Sequence, residues 1–198
     1  MVKPSAHRGS EQRGRTLLVY ASAQDRTAVI AQAIAARLRA HGFVAEVGDA
    51  DCGVMPPPED YDGVILGVPA RFGAETRLIA DYIHHNRRGL AEVPAALFTV
   101  STSGSVQDDD PGGFLEPFLR DVRWHPDLAA AFAGGEPFPQ KGRLVRFARR
   151  LGYLPEQRPA PSLLTSWIDV HAFADEVAKA VATAAVTAER TEPHVADH

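Results

Sequence analysis

Residues 16–42 read TLLVY, then ASAQDR, then TAVIAQAIAARLRAHG, and this stretch decides the fold. The first five residues are aliphatic or β-branched, without polar interruption, which predicts a short buried strand. Six mostly polar residues follow as a loop. From Thr27 onward apolar residues recur at Val29, Ile30, Ala33, Ile34 and Leu38, the period of an amphipathic helix, with Gly42 where a C-terminal glycine belongs. A strand, a loop and a helix succeed one another without a break.

The same alternation continues downstream. Residues 43–47 read as a second strand, and Pro56, Pro57 and Pro58 interrupt the chain before a third at residues 61–67. Residues 76–86 are predicted helical, 95–100 form a fourth strand, and 114–122 a helix. Residues 127–133 are an alanine-containing fifth strand, and 144–151 a basic amphipathic helix. A final helix at residues 169–185 has Val170, Phe173, Ala174, Val177 and Val181 on one face. Strands alternating with helices give a parallel sheet covered on both sides. Such sheets bind ligands beyond the carboxyl ends of their strands. Three loops are expected there: residues 21–26, 68–75 and the Ser, Gly and Asp-rich 101–113.

A chain of 198 residues suits one α/β domain rather than two. The folded body is expected at residues 16–186, between a polar N-terminal tail, 1–15, and a charged C-terminal tail, 187–198. A net charge of -4 argues against nucleic acid, whose binders present a broad positive field. Cys52 is the single cysteine, so no internal disulfide and no thiolate cluster can form. His84 and His85 lie near the end of a helix without matching acidic or thiol partners, and Asp108, Asp109 and Asp110 read as a solvated run, so no metal site is assigned. No apolar run approaches the roughly 20 residues of a bilayer span, and the start has no apolar signal core. A cytoplasmic location is expected.

In the first loop, Ser22, Ala23, Gln24, Asp25, Arg26 and Thr27 lead from a strand into a helix. Backbone N–H groups and the helix dipole then converge on one point, a geometry that suits a phosphate. Ser22, Thr27 and Gln24 can donate hydrogen bonds, and Arg26 adds charge. Ser and Thr at a helix start also serve as plain N-caps. The loop has neither the glycine triplet of a dinucleotide fold nor the Gly-Lys-Ser/Thr of a triphosphate loop.

The loop resembles the phosphate loop of flavodoxins, with Asp25 at a position where those proteins usually carry glycine. Four further segments are similar to the flavodoxin-type, menaquinone-dependent protoporphyrinogen oxidases. They are Gly67-Val68-Pro69-Ala70-Arg71-Phe72-Gly73, Trp124-His125-Pro126-Asp127, Ala133-Gly134-Gly135 with Pro139, and Thr165-Ser166-Trp167-Ile168-Asp169-Val170. The resemblance covers about 150 residues. It implies a flavodoxin-like three-layer sandwich with a five-stranded parallel sheet in the order 2-1-3-4-5. It further implies an FMN cofactor, its phosphate on residues 22–27 and its ring against Pro69, Ala70, Arg71, Phe72 and Gly73, with Ser101 and Thr102 from the third loop.

In that reading Phe72 packs on the ring, Arg71 stabilises negative charge on the reduced flavin, and Gly73 admits a close approach. Trp124 and Trp167 are expected in the core or at the sheet edge. No paired carboxylate or histidine falls in the three loops, so no catalytic residue is assigned. The implied activity is an FMN oxidoreductase that takes electrons from a porphyrinogen-like or other reduced substrate and passes them to a quinone. The alternatives are an electron carrier serving redox partner proteins, or a flavodoxin-shaped module that has lost FMN, with Asp25 as its sign. Lys141, Arg143, Arg146, Arg149 and Arg150 surround Leu144, Val145 and Phe147, a candidate peripheral contact with an anionic membrane surface. A plain amphipathic surface helix is the simpler reading of the same residues.

Overall fold

The computed structural model describes residues 13–22, 26–101, 111–132 and 166–191. Five strands, β1 (Arg15–Tyr20), β2 (Val44–Asp49), β3 (Gly63–Pro69), β4 (Ala95–Val100) and β5 (Leu128–Phe132), form one sheet. All four pairings are parallel and the order is β2-β1-β3-β4-β5, as expected. The helices are α1 (Arg26–Ala40), α2 (Ala74–His85), α3 (Gly89–Glu92), α4 (Pro111–Val122) and α5 (Trp167–Thr191).

Alternation along each strand divides the core into two layers. Leu18, Ile65, Ala96 and Phe98 face α1 and α5, where Ile30, Ile34, Leu38, Phe173 and Val177 cover them. Leu17, Val19, Leu66 and Leu97 face the other way and meet Ile79 and Ile83 of α2 and Leu115 and Phe118 of α4. Strands buried on both faces explain why the sequence shows unbroken apolar runs instead of a polar alternation. Trp124 is buried in the second layer, and Trp167 packs half-buried against the first.

α1 ends as expected. Gly42 adopts φ 89°, and Phe43 N–H donates to Leu38 O at 3.2 Å while Gly42 N–H donates to Arg39 O at 2.9 Å. These are the two bonds of a Schellman cap, which favours glycine because a Cβ is strained at positive φ. One residue of the expected face is misplaced: Val29 is 54% exposed, and Thr27, Ala31 and Ala35 are buried in its stead. Alanine period alone could not orient this face, because small residues fit either side.

Several boundaries shift, each for a local reason. β2 starts after Phe43, whose side chain turns into the core, and runs on through Gly48 and Asp49, opposite Val19 and Tyr20. Tyr61 is not in β3: it follows a 3-10 turn at Pro58–Asp60, and its hydroxyl donates to Glu46 Oε2 at 2.7 Å. β3 continues instead to Pro69, opposite Val100; a proline is tolerated in this last position of the strand. The second loop therefore shrinks from the expected 68–75 to residues 70–73. α2 starts at Ala74 and α4 at Pro111, earlier than expected, the latter with proline at its first helical position. β5 is Leu128–Phe132 because Asp127 is used as a clasp, its Oδ2 accepting Ala95 N–H at 3.0 Å and its N–H donating to Ala95 O at 2.7 Å. α5 extends to Thr191, into the segment expected as tail, supported by Thr187 Oγ1 donating to Thr183 O at 2.9 Å. The expected basic helix at 144–151 lies outside the described residues.

Candidate functional site

Three strands end side by side, and backbone hydrogen bonds carry the ladder one step beyond them. Ala21 N–H donates to Gly67 O at 3.1 Å, Ala70 N–H to Val100 O at 2.7 Å, and Ser101 N–H to Phe132 O at 3.0 Å. Ala21, Ala70 and Ser101 therefore stand in a row at the carboxyl edge of β1, β3 and β4, each 5% exposed or less. This row joins the three segments that the sequence singled out.

At the β1 end Ser22 is half-buried, Arg26 opens α1, and Thr27 is 1% exposed in its first turn. Ala23, Gln24 and Asp25 lie outside the described residues, as does Thr102 of the third segment. Among the described residues, the first turn of α1 carries no acidic side chain.

At the β3 end Pro69 belongs to the strand and is buried, so it supports the segment from below, and Ala70 is buried beside it. The loop of residues 70–73 is held by Thr76, whose Oγ1 donates to Arg71 O at 2.5 Å. Gly73 is the N-cap of α2 with φ −177° and ψ −169°, extended backbone that any residue can adopt. Arg71 Nη2 reaches Glu75 Oε1 at 3.3 Å, yet Arg71 Nε is buried with no hydrogen-bond partner. Phe72 is 64% exposed, with its ring 4.9 Å from that of Phe114, which in turn stacks on Phe118 at 5.5 Å. An exposed aromatic ring backed by two packed ones is a firm apolar ledge.

At the β4 end Thr99 is fully buried and its Oγ1 also lacks a partner. Thr99 and Arg71 own the only buried side-chain polar atoms without partners among the described residues, and both belong to the β3 and β4 ends: Thr99 lies opposite Val68. Buried polar groups are nearly always satisfied, so each of these two exceptions calls for an explanation. Sequence reasoning missed Thr99, Glu75 and Phe114. Thr99 reads as an ordinary β-branched strand residue and Phe114 as core; Glu75 carried one signal, an acid in the first turn of a helix.

Among the described residues, no group of three His, Cys, Asp or Glu side chains could hold a metal ion, and His84 and His85 are exposed. No described helix is long and apolar enough to cross a membrane.

A family model described as Flavodoxin domain matches residues 17–147. The chain is 25% identical over 172 residues to protoporphyrinogen IX dehydrogenase (quinone) of Escherichia coli strain K12, covering 83% of this chain and 94% of that protein. It is 23% identical over 180 residues to the protein of the same description from Leishmania major, covering 85% and 77%. Among solved structures, the flavodiiron protein of Giardia intestinalis superposes with a TM-score of 0.52 at 13% identity, over 87% of this chain and 37% of that one. The last likeness is one of fold.

Proposed function

The chain belongs to the flavodoxin domain family, and from that premise we propose that it is an FMN-dependent oxidoreductase acting between a porphyrinogen-like substrate and a quinone. The observation that supports this best is the pair of unpartnered buried polar atoms, Arg71 Nε and Thr99 Oγ1, at the ends of β3 and β4. Switch-point crevices of this sheet type are where mononucleotides bind, and a ring with carbonyl and nitrogen edges offers the acceptors these donors lack. The likeness to two proteins described as protoporphyrinogen IX dehydrogenase (quinone) supports the choice of substrates.

In this reading residues 16–186 form the cofactor-binding unit. Ser22, Thr27 and the backbone of residues 22–27 would hold the phosphate, with Gln24 and Arg26 contributing and Asp25 opposing it by its charge. Ala70, Arg71, Phe72, Gly73, Ser101 and Thr102 would flank the ring. Bound there, FMN would supply the redox chemistry, accepting electrons from one partner and releasing them to the other. The chain's own residues bind and orient it: Arg71 contributes positive charge, and Phe72 with Phe114 presents an apolar ledge suited to a flat substrate or quinone.

The test begins with colour. The purified protein is expected to carry flavin absorbance, or to take up FMN on titration, and to be bleached anaerobically by protoporphyrinogen and restored by menaquinone. Failure to bind FMN rejects the proposal and leaves a flavodoxin-shaped module without cofactor. Binding without either half-reaction would leave the carrier reading in its place.

A further inference from the structure

Glu75 occupies a position that its sequence gives little reason to expect. It lies in the first turn of α2, with its Oε1 on Arg71 Nη2 and its other oxygen above Gly73. A Cβ at residue 73 would stand 3.0 Å from Glu75 Oε2, tighter than ordinary contact. Gly73 is in extended backbone, so a side chain there would meet no conformational strain and would only press the carboxylate of Glu75 aside by a few tenths of an ångström. The carboxylate folds back onto Arg71 across this loop, and that arginine still has a buried Nε without a partner.

A guanidinium presents its donors in a fixed fork. Nη2 contacts Glu75, and the neighbouring Nε–H on the same edge of the fork is without an acceptor. The charge of Arg71 is meanwhile balanced by Glu75, and the pair is only partly exposed, with side chains 39% and 24% accessible, so screening by water is incomplete.

We propose that Glu75 is a positioning residue that sets the reduction potential of the bound flavin through Arg71. The proposal rests on the FMN reading above. Uptake of two electrons and one proton by oxidised flavin leaves one negative charge on the ring. Arg71 favours that charge and Glu75 opposes it, so the ion pair holds the potential between two limits. Removing Glu75 exposes an uncompensated cation and favours the reduced form; removing Arg71 exposes a carboxylate and disfavours it.

The experiment is an equilibrium titration of the FMN-loaded protein with dithionite against a reference dye, alongside separate binding titrations with oxidised and reduced FMN. For Glu75→Gln the ratio of reduced to oxidised affinity should rise about tenfold, which is about 30 mV for a two-electron couple. Gly73→Ala, by crowding Glu75 away, should move the same way by less. Arg71→Gln should move the ratio the opposite way, and the double variant Arg71→Gln with Glu75→Gln should return close to the parent. Shifts of the same sign in the two single variants, or no shift in either, overturn the proposal while leaving FMN binding intact. Absence of FMN binding by the parent protein overturns the cofactor reading and this inference with it. Should Arg71→Gln fail to retain flavin, the sign of the Glu75→Gln shift decides alone.

Discussion

At the amino end of the sheet Arg15 meets Glu46 at 2.7 Å, Tyr61 donates to the same carboxylate, and Arg37 grips Asp175 with two bonds of 2.7 and 3.0 Å. At the carboxyl end Arg71 Nε and Thr99 Oγ1 are buried without any partner. The amino-end groups tie elements that are far apart in sequence: β1 to β2 and to the turn before β3, and α1 to α5. Their charge perturbations fit that role. Arg37 first, with His41 Nε2 also on the carboxylate, holds Asp175 down at about 2, and burial followed by the Glu46 hydrogen bond pushes Tyr61 up to about 12. An unmade buried hydrogen bond costs about 1–3 kcal/mol. A chain that satisfies its polar groups at one end and leaves them open at the other keeps that cost where a ligand would remove it.

Four substitutions would break or sharpen this contrast, and the largest effect should come from the core that both ends share. Phe98 is fully buried, contacts the rings of Phe132 and Phe173, and fills the space above Gly67, where a Cβ would clash with its Cζ. Phe98→Ala should cost about 3–5 kcal/mol in urea unfolding. A cost below about 1 kcal/mol would mean that the layer between the sheet and α1 and α5 does not depend on this ring.

Asp175→Asn should cost about 1 kcal/mol, since the pair is half-exposed and screened. Its folded-state pKa is depressed, so its contribution is present above the ordinary carboxylate value of about 3.9 and is lost as pH falls toward about 2. The parent should lose stability over that window, and the variant should lose less; parallel pH curves would remove Asp175 from the account.

Tyr61→Phe deletes the hydroxyl on Glu46 and should cost about 1 kcal/mol, with FMN affinity unchanged, because it acts at the opposite end from the crevice. A change in affinity without one in stability would reverse the assignment of the two ends.

Thr99→Val should do the reverse. Replacing an unsatisfied buried hydroxyl by a methyl of similar shape should raise stability by up to about 1 kcal/mol, seen as a higher Tm, while weakening FMN binding. A lower Tm would show that the hydroxyl is satisfied in solution.

The alternation of buried strands with helices and the buried face of α5 were legible because burial on both sides of a parallel sheet leaves long apolar runs, while the strand order came from the family resemblance; Val170, Phe173, Ala174, Val177 and Val181 all turned out buried. The face of α1 was less so, since its alanines carry little directional information and Val29 proved exposed. At the candidate site, chemistry and loop position singled out Ser22 and Thr27, the family resemblance added Arg71, Phe72 and Ser101, and Pro69 was expected in a loop when the strand had not yet ended.

Period and residue type alone determined that this chain alternates strands with helices and that its polar loops follow β1, β3 and β4, because those properties are local to a few residues each. Which polar atoms would be left without partners was decided only by tertiary structure. Satisfaction of a hydrogen bond depends on what the neighbouring strand or helix brings within about 3 Å. For Arg71 that neighbour is Glu75, four residues on, and it reaches one end of the fork only. For Thr99, flanked in the sheet by Val68 and Ala131, nothing arrives.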